Sequence, residues 1–531
     1  TRTHELVRVV SGQTSAFDTS GGGADLTIKL RQADVAATTG TDPLVNFMTL
    51  RTDPLVGNTI HIGQTSGVDT ARVGINAPIY GSNTLQVGTT VGVNSSNLEI
   101  GASSHVYFDG SVQLRTITPK VEIGHTTPPL TGTSSISIGQ STQAQAYAVA
   151  IGSGASTTNG GASTVSIGNF AGESNQGEYS VAIGASAGRT SQGINSVAIG
   201  RAAGNDGKNS SNTISIGYSA GNSLQDSNAV AIGTASGEVA QGSDSVALGK
   251  CAGKTSQGLQ SIAIGMCAGE TTQKSYAIAI GKQAGFVDQG VESISVGIAA
   301  GNSLQGSQGV AIGYIAGQTS QGVRSVAIGS GSGRTSQGIY SVSMGYQSGS
   351  STQGDLCVAI GSNAAVHTQG DASTAIGANA ASITQGTKAT AIGANAAVIN
   401  QGSQATSIGY EAGRTSQASN SLAIGFRSAL LNQNVDSLSI GFEAGYNTQN
   451  SQSTAIGFRA GYSMQSSGAL SIGKEAGHTS QCQNSIAIGN FSGYTFQGAD
   501  SISIGVNAGH TSQGSTAIAI GSNAGATSQQ V

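Results

Sequence analysis

Residues 180–195 read SVAIGASAGRTSQGIN, and at Ser196 the chain begins again with SVAIGRAAG. With the Gly of each IG pair as position 0, that residue falls at Gly152, Gly168, Gly184 and Gly200. After one inserted residue it falls at Gly217 and then every sixteen residues to Gly521, with an early copy at Gly139. Self-similarity at a short fixed period marks a solenoid, in which each repeat is one coil stacked on the last. Sixteen residues are too few for a helical pair, and the repeats contain no proline, so each coil is expected to hold short β-strands.

Each column of the repeat carries a demand. Position −1 is Ile in all copies but Leu248, Val296 and Met344, and −3 is Val, Ile or Leu except at a few Thr such as Thr374 and Thr390. Between them, −2 is always Ala or Ser, and so is +3 in the regular copies. Alternation with period two makes SVAIG a strand with −3 and −1 on one face and −2 on the other. A face restricted to Ala and Ser is one that another backbone approaches closely. Whichever face looks into the coil, the other forms a stripe far larger than the few hundred Å² a monomer usually exposes, so another copy of the chain is the expected cover. The glycines at 0 and +4 read as turn residues. Ala365, Ala381 and Ala397 stand at +4, which is therefore expected to be less constrained than 0.

Position +8 is Gln in every copy from Gln225 to Gln529, and at Gln176 and Gln192. Stacked amides can hydrogen-bond up a column, so Gln225, Gln241, Gln257, Gln273 and Gln289 are expected to start a structural ladder. Position +2 runs Glu411, Arg427, Glu443, Arg459, Glu475, a charge alternation that fits parallel, in-register stacking. Twenty-four coils at about 4.8 Å each predict a rod on the order of 115 Å long.

The composition agrees. The chain has 81 Gly, no Trp and 9% charged residues with a net charge of −4, and no run of five basic residues, so neither nucleic acid nor an anionic membrane surface is an expected partner. No stretch of eighteen apolar residues exists, and no membrane insertion is expected. Four cysteines make no disulfide framework. Cys251 and Cys267 share one repeat position, where stacking would bring them to strand spacing; a bridge or two neighbouring thiols both fit, and the thiols are the preferred reading.

NSVAIG at 195–200, DSVALG at 244–249 and NSIAIG at 484–489 resemble the head repeats of YadA-like trimeric autotransporter adhesins, over residues 134–531. The resemblance implies a left-handed parallel β-roll in a homotrimer whose SVAIG strands line the contact. The sixteen-residue coil is longer and more uniform than the family's usual one, and no heptad stalk or membrane-anchor barrel is present in these residues. Upstream, RVGINAPIYGSNTLQVG at 72–88 is similar to a motif of phage and giant-virus tail fibres, through Val73, Gly74, Ile75, Pro78, Leu85 and Val87. Together the two imply a non-enzymatic viral or particle-surface fibre serving attachment, with a bacterial surface adhesin as the alternative. Localisation is then a virion surface or an extracellular cell surface.

Residues 1–70 are expected to form an N-terminal attachment or cap region that meets a capsid, base-plate or other particle protein; all six prolines precede the repeats, and GGGAD at 21–25 reads as a flexible turn. Residues 71–135 echo the period in LQVG, LEIG and VEIG and are expected to be an irregular β segment; 136–531 form the regular roll. No capping element follows Gln529, so the roll is expected to be truncated or to continue.

Catalysis has little to stand on, because Asp288, Asp355, Asp371, Asp436 and Asp500 are scattered singly. His478 and His510 share position +5 two coils apart, too far to share a metal ion, and neither metal nor cofactor is expected. The +6 column is too irregular for an ice-binding Thr array, being interrupted at Val239, His367 and Leu431. One column could recognise a ligand. Position +1 carries Tyr410, Phe426, Phe442 and Phe458 in adjacent coils, rings that could dock a host-surface receptor or glycan, or pack in a groove between chains, the latter being preferred.

Overall fold

A computed structural model of the chain describes residues 135–206 and 210–530, together with the strands Leu26–Arg31, Leu44–Asp53, Gly57–His61, Thr84–Leu85 and Lys120–Ile123. The remainder of the expected attachment region, the prolines, the turn at 21–25, most of the 72–88 motif and the inserted position near Lys208 lie outside the described residues. The chain divides into two units, 1–114 and 115–531. In the first, Leu44–Asp53 pairs antiparallel with Leu26–Arg31 and with Gly57–His61, which in turn pairs parallel with Thr84–Leu85.

The second unit is the β-solenoid that the period demands. Each regular coil carries two short strands, and all described strands of this unit are parallel to their neighbours one coil away. The VAI strands form one sheet of twenty-six, from Lys120–Ile123 and Ser135–Ile138 to Ile518–Ile520. Register is column on column: Val181 faces Val197, Ala182 faces Ala198, and Ile183 faces Ile199. The insertion leaves this register intact, since Val197 pairs with Ile214 and Ile199 with Ile216. The VEIG echo at Lys120–Ile123 is the first strand of the same sheet. The second sheet has nineteen strands, each ending on a ladder Gln, from Ser223–Gln225 to Ser512–Gln513. Isolated bridges from Thr158 through Ser174, Thr190 and Asp206 to Ser223 extend it toward the first coils. No helix of the described residues is long and apolar enough to cross a membrane.

The interior is the reverse of an ordinary core. Strands Val181–Ile183 and Ile486–Ile488 share the pattern half-buried, buried, half-buried, so the small −2 residue points inward and the branched −3 and −1 residues point out. Ala at −2 and +3 is buried to 0% in nearly every coil, and the largest fully buried side chains are all Gln. The backbone that comes close to the small face is therefore the opposite strand of the same coil. Two strands joined by turns of about six and four residues cannot separate far enough to admit a Leu or Ile between them.

The two Gly columns have different causes. At position 0, Gly425 has φ +127°, and a Cβ there would sit 2.4 Å from the carbonyl oxygen of Gly441 in the next coil. Backbone cannot yield, so no residue replaces Gly at 0. At +4, Gly413 has φ +54°, and its Cβ would meet the Ser407 hydroxyl that stands at −2 of the same coil. Ala365, Ala381, Ala397 and Ala429 do occupy +4, and in those coils −2 is Ala359, Ala375, Ala391 and Ala423. A −2 hydroxyl and a +4 methyl compete for one space. We therefore expect Gly413→Ala to destabilise its coils by about 1–3 kcal/mol through left-handed strain plus the clash. Ser407→Ala in the same chain should recover the clash part, and a double-mutant cycle by hydrogen exchange that shows no coupling refutes the competition.

Candidate functional site

The ladder glutamines are built into the interior. Gln433 is 1% exposed; its Nε2 donates to the carbonyl oxygens of Leu422 at 3.0 Å and Ser437 at 3.3 Å, and to Oε1 of Gln449 at 3.1 Å. Its own Oε1 accepts from Gln417 Nε2 at 3.0 Å. One amide thus ties both strands and the closing turn of its coil, and then reaches the next coil. Gln225 bonds to Gln241, Gln257 to Gln273, and Gln273 to Gln289, as the column predicts, but Gln241 does not donate to Gln257. The −2 residue decides whether a Gln oxygen has a second donor. Where −2 is Ser, as in Ser407 and Ser439, its hydroxyl donates to the Gln oxygen. Gln192, Gln257, Gln337, Gln385 and Gln529, whose oxygens are without a partner, all lie in coils with Ala at −2.

Tyr410, Phe426, Phe442 and Phe458 form one continuous stack at the surface, with centroids 5.3, 5.0 and 5.1 Å apart and planes within 15°. In-register coils impose this geometry, because strand spacing is also a comfortable spacing for offset rings. Each ring is 38–43% exposed. Its faces are occupied by its neighbours, so within the ladder it offers edges; a sugar ring could stack face-on only at the ends.

Beside this ladder stands a second one not singled out in the sequence. Tyr446, Tyr462, His478, Tyr494 and His510, all at +5, stack with centroids 4.8–5.1 Å apart. The signal was present as aromatic or imidazole side chains at sixteen-residue spacing. Weighing His478 and His510 only for a shared metal ion, and otherwise as solvated surface histidines, passed over it, and Tyr494 stands between those two rings. The +2 column joins the two ladders. Arg459 lies 5.2 Å from the Phe458 centroid and 5.6 Å from that of Tyr462, while Arg427 lies 5.0 Å from Phe426. Each Arg also pairs with the Glu of the preceding coil, Arg427 with Glu411 at 2.7 Å and Arg459 with Glu443 at 2.8 Å, and both glutamates are buried. The alternating charges are thus discrete pairs, with the Arg planes exposed between aromatic columns. This aromatic and guanidinium face over coils 409–521 is the candidate recognition surface.

No family model, curated protein or solved structure matches the chain. Function is therefore argued from the coil geometry.

The carboxylates hold structural positions. Asp355 and Asp371 come together in one column, but Asp355 Oδ1 accepts from the Ile339 amide at 2.9 Å and Asp371 Oδ1 from the Asp355 amide at 3.1 Å. Asp436 and Asp500 accept from the side chains of Asn420 and Asn484. An internal gap lies where the Gln column is broken in coil 200–216, between Gln192 and Gln225 and beside Ala198 and Ser215.

Two outcomes follow for this region. Gln433→Leu fills the volume but leaves the carbonyls of Leu422 and Ser437 without their donor, at about 1–3 kcal/mol per group. Hydrogen exchange should accelerate in the flanking coils; unchanged protection there contradicts the stapling role. His478 has its pKa below the usual imidazole value because burial in the stack disfavours the charged ring and Arg459 adds to this, against the opposing pull of Glu475. The unfolded chain then binds the proton first, so the stack is fully stable above pH about 6.5 and weakens as pH falls through that value toward the depressed one. Exchange in coils 457–505 should rise on acidification, and His478→Phe should remove most of that rise.

Proposed function

We propose that the chain is a non-enzymatic structural fibre or spike protein, three copies of which associate side by side along their VAI sheets to project an attachment function from a virion or other particle surface. The observation that carries this reading is the outward face of those sheets. In coil after coil the −3 and −1 side chains are half-buried or exposed in the single chain, as at Leu248, Ile280, Ile312 and Met344, each 38–42% exposed. Two branched apolar columns along twenty-six stacked strands form a patch well beyond the roughly 300–600 Å² of the largest apolar patch on an ordinary monomer. The patch is flat, regular and self-similar, and a copy of the same chain in the same register matches it at every coil. Three copies, rather than two, is what the YadA-like resemblance adds, together with the left hand of the roll.

A solenoid with such uniform coils suits a spacer, since its length is set by copy number and its stability by neighbour-to-neighbour contacts. The tail-fibre-like motif upstream favours a particle-anchored fibre whose N-terminal region meets a capsid or base-plate protein. The alternative, an extracellular bacterial adhesin whose roll binds a host receptor or glycan, draws on the aromatic and guanidinium face.

Native mass spectrometry of the full chain in mild buffer should give three times the single-chain mass; a stable monomer overturns the assembly. Ile376→Lys with Ile392→Lys, both on the outward face, should shift the protein toward monomer while its far-ultraviolet dichroism keeps the β signature. An unaffected trimer would place the contact elsewhere.

A further inference from the structure

Position +2 of one coil, +2 of the next and +5 converge wherever their side chains are long enough to meet. Glu411 reaches Arg427 of the following coil and is approached by Arg414, three residues on, at 3.5 Å. In coils 249–280 the two +2 positions hold Cys251 and Cys267, and the +5 position of the second coil holds Glu270. Both cysteines are free and half-buried, with the same φ of 56°, so their side chains leave the backbone in the same direction. The two Sγ atoms and a Glu270 carboxylate oxygen all lie within 4.8 Å of one another.

The geometry points to a binding site for a thiophilic divalent cation of the Zn²⁺ or Cd²⁺ class, held by Cys251 Sγ, Cys267 Sγ and a Glu270 carboxylate oxygen, with water completing a tetrahedron. This goes beyond the fibre reading, rests on residues of a single chain, and departs from the expectation that no metal binds. Two sulfurs and one carboxylate are a donor set that suits borderline-soft d¹⁰ ions and not Ca²⁺ or Mg²⁺. Zn–S bonds of about 2.3 Å bring tetrahedral ligand atoms to about 3.8 Å apart, so rotamer adjustments of the order of 1 Å suffice. Lys254, the cation one coil below Glu270 in the +5 column, pairs with Glu238 and leaves Glu270 to the cysteines.

Without metal, burial and the adjoining Glu270 push the Cys267 thiol up to about 12, so it is protonated at neutral pH and hydrogen-bonds with Glu270. Metal entry forms two metal–sulfur bonds and one metal–oxygen bond, and the two thiol protons leave to solvent with no change of oxidation state.

Titrating the full-length protein with Cd²⁺ alone should raise a thiolate-to-metal charge-transfer band that saturates at one equivalent per chain. Zn²⁺ should slow maleimide labelling of Cys251 and Cys267 while leaving that of Cys482 unchanged. Cys251→Ser should abolish the band, and Glu270→Gln should weaken affinity by at least the ~10-fold that loss of even an outer-shell partner costs. Dichroism of both variants should match the parent, because Ser and Gln occur at +2 and elsewhere in these coils. Absence of the band at micromolar Cd²⁺ with the cysteines reduced, a band that survives Cys251→Ser, or equal labelling with and without Zn²⁺ would each overturn the site.

Discussion

The primary amide of the +8 glutamine is the interaction on which the roll depends. A coil of sixteen residues encloses so little space that its two strands cannot be held apart by branched hydrocarbon. The carbonyls that turn inward at −3 and +12 must still find donors, because an orphaned buried carbonyl costs about 1–3 kcal/mol. A Gln side chain is flat, long enough to cross the coil, and carries two N–H donors, so Gln433, sharing one of them between two acceptors, reaches Leu422, Ser437 and Gln449 together. Its acceptor oxygen then needs a donor, and a Ser at −2 or the Gln below supplies it in most coils, the exceptions being coils with Ala at −2. Alanine elsewhere in the interior follows from the same thinness.

Displacing the branched residues outward has a consequence for assembly. In most domains Ile and Val fill the core, and leaving them outside would cost about 25 cal/mol for each Å² that could have been buried. Here they line an external sheet face along the full stack, which gives the proposed trimer its driving force and makes assembly and stability of the coils mutually dependent. Regular stacking also turns any side chain repeated at sixteen residues into a ladder. Rings become stacks, as in Tyr410 to Phe458 and Tyr446 to His510; amides become chains; unlike charges become pairs; and two cysteines with a glutamate become a cluster of ligands. Specific chemistry in this architecture arises from which residue happens to recur, since the backbone presents identical positions in every coil.

How much of this was legible depended on whether a feature lived on one column or on several. The strand at SVAIG, the parallel register, the Gln ladder and the aromatic run at +1 were readable because each is a single column sampled many times. The ladder at +5 was equally readable in principle and was obscured by its mixed membership of Tyr and His. Cys251 and Cys267 could be placed side by side from their spacing, but Glu270 could not be joined to them. That contact crosses from +2 to +5 and depends on how the turn after Gly265 folds back.

The sequence by itself determined the period, the β-solenoid, the strand register and the need for small residues at −2, because each is imposed by a repeat length and by sterics local to one column. Which face of the strand looks inward was decided only in three dimensions. Alternation assigns −3 and −1 to one side and −2 to the other, and it is symmetric between inside and outside. The closing turns and the width of a Gln amide break that symmetry, since a coil this narrow accepts Ala, Ser and Gln and excludes Ile. The partition of Gly at +4 between necessity and tolerance was likewise settled by a contact through space, that of the −2 hydroxyl with the position a methyl would take.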